Sequence, residues 1–366
     1  MKRRNPPEKK TRLQKFQQRC GFLVFGTLCG LMLGELLLRL LVPQKLSPLL
    51  TWVQEPGFER LIVPDPELGW RMAPGYSGDF LKDTKVEINS IGIRDREYSA
   101  KKPGQIRILS LGDSYAFGHA VEFEECYAKQ LERLLRDRNT AEQIEVVMAG
   151  VAGYNTIQEL RELDRLVPLV KPDLVVSTFV AGNDVAENAI FERQLATGLQ
   201  SPVGWLGQSS HLARLGLRAS FGPRFFIANR TDANIAFTIQ CFQRLQRRLK
   251  ELQLPVVFMI IPARHQIDPS AHDGAAYAKA LFGQEYVFKH NLRMAEHFRA
   301  SGVPFVDLRS VLDDPLQATY FPDDPHTNAY GHAKIAQALA NEVEPILRGL
   351  VSAANDSHDA AKADSL

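Results

Sequence analysis

Residues 105–115 read QIRILSLGDSY. A mostly apolar run to Leu111 is followed by a glycine, an aspartate and a serine. A short run rich in Ile and Leu is typical of a buried strand in a parallel sheet. Gly112 permits a tight bend after the strand, and a helix that starts there would point its free N–H groups at Ser114. A serine at such a turn is well placed to attack an ester carbonyl, although a simple helix N-cap would have the same sequence.

The alternation of strand-like and helix-like runs continues from this point to the C-terminus. It predicts an α/β fold, a three-layer αβα sandwich built on a mostly parallel five-stranded sheet. The predicted strands are Ile106–Leu111, Ile144–Ala149, Leu174–Val180, Val256–Ile261 and Phe305–Leu308. The predicted helices are roughly Glu124–Arg138, Thr156–Val170, Asn234–Leu252, Gln284–Ala300 and Ala329–Leu347.

Two further polar turns follow predicted strands, where ligands bind in sheets of this type. Gly153 lies after the second strand, and its backbone N–H could approach a substrate oxygen closely. Asn183 lies after the third strand, in Gly182-Asn183-Asp184, and its amide could donate to the same oxygen. The alternative for the Gly153 segment is an ordinary turn before a helix, and the alternative for the Asn183 segment is an Asx turn.

The segment Asp323-Asp324-Pro325-His326 precedes the last predicted helix. A histidine is the natural general base for a serine, and a carboxylate is needed to hold the ring. Asp323, three residues earlier, can fold back to the ring, and Asp324 offers a second carboxylate. A zinc site would need more ligands, and His332 lacks the spacing of a zinc-binding helix. We therefore predict no metal and no cofactor.

Three other histidines, His119, His265 and His290, have no companion carboxylate at a useful spacing. They are interpreted as surface or structural residues.

Taken in order, these turns resemble the four sequence blocks of the SGNH (GDSL-like) hydrolase superfamily, over about residues 105–349. The resemblance implies that Ser114 is the nucleophile and that Asp323 and His326 complete a catalytic triad, because the family spacing selects Asp323. It also implies an oxyanion hole formed by the N–H groups of Ser114 and Gly153 and by the Asn183 side chain. Residues 66–95 are similar to the leader of bacterial single-span members of the superfamily.

The N-terminus carries eight of the 44 basic residues within its first 19 positions, ahead of an apolar run from Cys20 to Val42. This run is about 20 residues long, enough to cross a bilayer. A cleaved signal peptide is the alternative, but no alanine occurs between Cys20 and Ala73 to form a cleavage site. The positive-inside rule then predicts a single-pass protein of the inner membrane, with its catalytic domain in the periplasm.

Small residues repeat along this apolar run at Gly26, Gly30 and Gly34, on one helix face. They either form a contact for another helix or are ordinary glycines of a membrane span. Of the four cysteines, only Cys126 and Cys241 lie outside the run, and the sequence does not decide whether they pair.

The predicted organisation has five parts: a basic cytoplasmic tail (1–19), a membrane anchor (20–42), a linker with a small extended module (43–104), the hydrolase domain (105–349) and a disordered tail (350–366). Within the hydrolase domain, residues 186–231 show no clear helical or strand periodicity and are interpreted as a possible lid insertion.

Charge distribution argues against nucleic-acid binding, since the basic excess lies in the terminal block rather than along the folded domain. The resemblance instead implies a serine esterase that acts through an acyl-enzyme on an acyl ester. Together with the predicted location, it implies an acylated envelope glycan as the expected substrate. An acyltransferase with the same triad is the nearest alternative. A non-catalytic envelope binding or assembly protein with this fold is a further one.

Overall fold

The computed structural model describes residues 11–41, 58–138, 143–196, 210–213, 215, 227–268 and 284–363. The chain forms two compact units, one of residues 1–51 and 201–222 and the other of residues 52–200 and 223–366.

The second unit is built on a five-stranded parallel sheet with the order β6-β5-β7-β8-β9. Its strands are β5 (Gln105–Gly112), β6 (Gln143–Gly150), β7 (Leu174–Val180), β8 (Val256–Ile261) and β9 (Phe305–Asp307). Gly112 pairs with Gly150 and Val180 pairs with Ile261, so the carboxyl ends of the central strands lie together. The predicted α/β sheet is confirmed, and β7 and β8 begin and end at the predicted residues.

Helices cover both faces of this sheet. They are α3 (Ser114–Phe117), α4 (Tyr127–Asp137), α5 (Thr156–Val170), α6 (Asp184–Ala196), α7 (Asp232–Glu251), α8 (Arg264–Ile267), α9 (Gln284–Ser301), α10 (Arg309–Leu312) and α11 (Ala329–Ala363). Alternate residues of one strand enter different cores: Ile108 packs with α4 and α11, whereas Leu109 packs with α5, α7 and α9. This period-2 pattern is what a sheet buried on both faces requires.

Two antiparallel hairpins precede the sheet in the chain. One pairs β1 (Ile62–Asp65) with β2 (Gly69–Met72), after a helical turn α2 (Phe58–Leu61). The other pairs β3 (Ser77–Phe80) with β4 (Thr84–Glu87). Both hairpins belong to the same compact unit as the parallel sheet, although the sequence assigned them to a separate module.

The first unit contains helix α1 (Arg12–Leu41), a 30-residue helix with a mean hydropathy of 1.9 over its most apolar window. By length and composition it is a candidate membrane span, and the same properties fit a signal sequence. Glu35 bonds to Arg39 at 2.7 Å and accepts hydrogen bonds from Ser210 Oγ and from backbone N–H groups of residues 211 and 212. A side chain added at Gly34 would meet Leu212, whereas Gly26 and Gly30 have open space beside them.

Two predicted boundaries differ from the structure. The predicted insertion 186–231 begins inside α6, which continues to Ala196, and ends one residue before α7; most of it lies outside the described residues. Helix α11 continues to Ala363, through most of the tail predicted to be disordered from residue 350. The tail is rich in alanine, the strongest helix former, which favours this continuation. Cys126 and Cys241 are both buried and unpaired.

Candidate active site

Ser114 is the first residue of α3, immediately beyond the carboxyl end of β5. Asp113 caps this helix, because its side chain accepts a backbone N–H of the first turn. The turn packs tightly against β6: a Cβ at Gly150 would overlap the backbone of Ala116 and Phe117. The glycine therefore allows the serine turn to lie against the end of the neighbouring strand, where Ser114 is 8% exposed.

A continuous chain of hydrogen bonds joins Ser114 to a histidine and a carboxylate. His326 Nε2 lies 2.7 Å from Ser114 Oγ, and His326 Nδ1 lies 2.6 Å from Asp324 Oδ1. Burial alone would raise the pKa of Asp324, but the hydrogen bonds from the ring and backbone of His326 hold that pKa well below its usual range. Asp324 is thus a stable carboxylate that orients the imidazole ring.

The residue that the sequence placed at the ring, Asp323, lies elsewhere. Both of its carboxylate oxygens bond to Lys82 Nζ, at 2.7 and 2.8 Å, and its side chain is 68% exposed. Asp324 takes the position beside His326 because its Oδ1 also accepts the backbone N–H of His326 at 2.8 Å. This Asx turn brings the carboxylate of Asp324 to the ring of His326, two residues later in the chain. The three-residue separation that favoured Asp323 is therefore not required for this contact.

The histidine loop is fixed on both sides. Tyr115 OH donates to the carbonyl of Pro325 at 2.8 Å, and the Phe321 N–H donates to the carbonyl of His326 at 3.0 Å. Tyr320, at the start of the loop, donates from its hydroxyl to the carbonyl of Pro262 at 2.5 Å, beyond the end of β8. The ring is thereby held by the same turn that carries the serine and by a neighbouring strand end.

His119, which the sequence assigned to the surface or to the scaffold, lies against the His326 ring. The two ring centroids are 4.0 Å apart with an interplanar angle of 29°, and His119 is 3% exposed. Ligand-type atoms of His119, Asp324 and His326 lie within 4.8 Å of one another and could hold a metal ion. Because both ring nitrogens of His326 already bond within the chain to Asp324 and Ser114, a metal ligated by that ring would displace one of these contacts.

The other two histidines lie away from Ser114's hydrogen-bond chain. A ring nitrogen of His265 lies 2.8 Å from Arg230 Nη2. His290 Nε2 donates to the carbonyl of Ala181 at 2.5 Å, and burial lowers the pKa of His290 to about 3. A neutral His290 therefore supports the backbone just before Gly182 and Asn183.

Gly153 has a positive φ of 78°, a conformation that favours glycine. Its two neighbours are held by Trp70: the indole N–H donates to the carbonyl of Ala152 at 3.3 Å, and Tyr154 OH donates to the carbonyl of Trp70 at 2.7 Å. The Trp70 and Tyr154 rings also form an edge contact at 5.7 Å. A residue of the first hairpin thus contacts both neighbours of Gly153.

Asn183 lies between the end of β7 and the start of α6, as predicted. Its amide nitrogen donates to Asp113 Oδ2 and to Glu187 Oε2, both at 2.9 Å. The structure therefore links Asn183 to the aspartate beside the predicted nucleophile. It also engages the amide with two carboxyl groups.

The second hairpin and the segment that follows it contact the site at three more points that sequence reasoning missed. Arg94 is 1% exposed and donates to the carbonyls of Phe117 and Gly118, at 3.0 and 2.6 Å, which fixes the end of α3. Phe80 packs edge-on against His119 at 5.8 Å. Lys82, at the tip of the second hairpin, forms the ion pair with Asp323. These contacts join residues far apart in sequence, and no local pattern signals them.

Comparison with known proteins identifies a family for this chain. The profile of the GDSL-like Lipase/Acylhydrolase family matches residues 110–334, most of the predicted hydrolase domain. No curated protein matches the chain significantly.

Several solved structures are similar to this chain. The lipase/acylhydrolase from Enterococcus faecalis is 16% identical, with 66% of this chain and 96% of that chain covered at a TM-score of 0.42. A GDSL-like lipase from Bacteroides thetaiotaomicron is 12% identical, with 68% and 93% covered at 0.41. The acetyl xylan esterase AlAXEase is 16% identical, with 64% and 98% covered at 0.42.

The family match spans more than half of the chain and includes the serine turn, the Asn183 turn and the histidine loop. The chain therefore belongs to the GDSL-like lipase/acylhydrolase (SGNH) family and is a hydrolase that acts on ester bonds.

Proposed function

We propose that this protein is a serine esterase in which Ser114 is the nucleophile, His326 the general base and Asp324 the residue that orients the base. The observation that carries the proposal is the chain of two short hydrogen bonds, 2.6 Å from Asp324 to His326 and 2.7 Å from His326 to Ser114. Bonds of this length match the geometry that a serine, its base and the orienting carboxylate require.

In the first half of the reaction, Ser114 Oγ attacks the ester carbonyl carbon while His326 Nε2 takes the hydroxyl proton. Asp324 holds the other ring nitrogen and stabilises the imidazolium that forms. The tetrahedral intermediate collapses when His326 returns the proton to the leaving alcohol. An acyl-Ser114 ester remains, and a water molecule activated by His326 then hydrolyses it.

The negative oxygen of the tetrahedral intermediate needs donors that are in place before the reaction. We assign this role to the N–H groups of Ser114 and Gly153 and to the Asn183 amide. The positive φ of Gly153 and its clamp by Trp70 support a fixed direction for that N–H. Asn183 contributes once one of its amide hydrogens turns from a carboxyl group to the substrate.

Covalent labelling tests the nucleophile directly. A fluorophosphonate probe should modify Ser114 in the wild-type protein, as located by peptide mass spectrometry, and p-nitrophenyl acetate should be hydrolysed. Ser114→Ala should abolish both signals. Labelling at another serine, with turnover retained in Ser114→Ala, would refute the assignment.

We also propose that α1 remains as an anchor in the inner membrane, with the catalytic unit in the periplasm and acylated envelope glycans as substrates. The basic block of residues 1–19, ahead of the apolar run that starts at Cys20, supports this orientation. Intact-mass measurement of the protein from the membrane fraction should find residues 1–19 still attached. A soluble protein whose N-terminus begins after Val42 would show that the segment is a signal peptide.

A further inference from the structure

Asn183 has both amide hydrogens engaged by acids. The donors are the two N–H groups of one nitrogen, and the acceptors are Asp113 Oδ2 and Glu187 Oε2, each at 2.9 Å. The amide oxygen Oδ1 is buried and has no hydrogen-bond donor among the described residues. A substrate oxygen that needs Asn183 must therefore compete with a carboxyl group.

Glu187 lies where its carboxyl group can accept a hydrogen bond from this amide. It lies one helical turn beyond Asn183 on α6, and its own N–H donates to the carbonyl of Asn183 at 2.9 Å. The residue is 5% exposed, and Asn183 is the partner of its carboxyl group within the described residues.

The surroundings of Glu187 are acidic and buried. Three more carboxyl groups, those of Asp113, Glu159 and Asp184, are buried in the same interior. Within the described segments, none of the four carboxyl groups has lysine or arginine as an ion-pair or hydrogen-bond partner. Asp184 accepts the Val180 N–H at 2.8 Å, and Ser177 donates to Glu159 at 3.3 Å. The groups whose charges act on this cluster are Asp113, Glu159, Asp184, Glu187 and the ring of His119.

Burial raises the pKa of Glu187 well above its usual range, and the neighbouring charge of Asp113 raises it further. The hydrogen bond from Asn183 only partly offsets these effects, so the buried site favours the protonated form of Glu187. An ionised carboxylate accepts a hydrogen bond roughly twice as strongly as a neutral group does. The protonation of Glu187 therefore determines how firmly it holds the Asn183 amide.

We propose that Glu187 is a positioning residue whose proton leaves the Asn183 amide available to the substrate oxyanion, an inference that rests on the function proposed above. When Glu187 loses the proton, the carboxylate retains an Asn183 N–H, and the developing oxyanion loses that donor. The result is an alkaline decline in kcat that originates at Glu187, distinct from the acidic decline expected of any mechanism with a general base.

The test is the pH dependence of kcat on p-nitrophenyl acetate for the wild type, Glu187→Gln and Glu159→Gln. Glutamine keeps the shape and an acceptor oxygen but cannot ionise. We expect the wild type to lose activity on the alkaline side of its pH profile, the direction set by the raised pKa of Glu187. Glu187→Gln should retain the acidic decline and lose the alkaline one. Glu159→Gln, the matched buried control that does not contact Asn183, should retain both.

A second measurement isolates the route through Asn183. The residual activity of Asn183→Ala should lack the alkaline decline, and adding Glu187→Gln to it should change the profile no further. This arm does not depend on the folding of the single Glu187 variant.

The outcomes separate the two proposals. Absence of turnover and of probe labelling in the wild type would refute the proposed function. Normal wild-type turnover with an alkaline decline that persists in folded Glu187→Gln or in Asn183→Ala, or with no such decline, would refute the role of Glu187 alone. Equal loss of the decline in Glu159→Gln would also overturn it, because the effect would then belong to the whole cluster.

Discussion

The imidazole rings of His119 and His326 are stacked, with their centroids 4.0 Å apart. One flank of the proposed base is therefore a second buried imidazole, which itself packs on Phe80 of the second hairpin. The stack limits how far the His326 ring can move away from Ser114 Oγ. Its contribution is positional, since neither reacting atom belongs to His119.

A pair of substitutions measures this contribution. His119→Ala removes the stacked ring and should lower kcat by roughly 10- to 100-fold, because small displacements of a catalytic group are costly. His119→Phe keeps an aromatic ring of similar area and should lose much less. Steady-state kinetics on p-nitrophenyl acetate decides the point, and equal losses in the two variants would indicate that the imidazole nitrogens, rather than the stack, are required.

The two adjacent aspartates make opposite predictions. Asp324→Asn should reduce kcat by roughly 10⁴-fold, the loss found when a triad aspartate becomes asparagine in a serine protease. Asp323→Asn breaks the exposed ion pair with Lys82, and exposed pairs contribute about 1 kcal/mol or less. Its kcat should therefore stay within roughly tenfold of the wild type. Kinetics of the two variants side by side checks this, and the reverse ranking would restore Asp323 to the triad.

Removing the Tyr154 hydroxyl weakens the contacts that Trp70 makes on either side of Gly153. Tyr154→Phe removes the hydrogen bond to the buried Trp70 carbonyl and should lower the free energy of unfolding by about 1–3 kcal/mol. If the clamp also directs the Gly153 N–H, kcat should fall while KM changes little. Denaturant unfolding and kinetics are both needed, because a purely structural role would lower stability and leave kcat unchanged at low temperature.

Sequence reasoning predicted the parallel sheet because its strands are buried on both faces and so consist of continuous apolar runs, such as Leu174–Val180. It placed Ser114 and Asn183 after strand ends and His326 before a helix, where the structure has them, because such positions have local signatures. The choice between Asp323 and Asp324 failed, because it depends on an Asx turn and on Lys82, which is 241 residues away in the chain.

The roles of Trp70, Lys82 and Arg94, which precede the parallel sheet in the chain, were missed for a related reason. Trp70, Lys82 and Arg94 act through contacts with backbone carbonyls or with distant side chains, and a single sequence does not encode such pairings in any short pattern. The buried carboxyl groups were equally hidden: Glu159 and Glu187 occupy helices in which an exposed glutamate would be ordinary.

These carboxyl groups also predict how stability depends on pH. Burial raises the pKa of Glu159 well above its usual range, and the charge of Asp113 raises it further. A carboxyl group with a raised pKa favours the folded state below its unfolded pKa. That stability is lost as the pH rises toward the folded value, because the unfolded chain releases the proton first.

Glu159→Gln should remove this loss. The variant should unfold at a Tm higher than that of the wild type by roughly 2 °C or more at pH 8, whereas the difference should shrink or reverse at pH 4, where both side chains are neutral. Glutamine can still accept the hydrogen bond that Ser177 donates, so the local contact is preserved. Calorimetric scans at the two pH values measure the effect. A Tm difference that is independent of pH would mean that Glu159 is ionised in the folded protein, stabilised by a partner that offsets its burial.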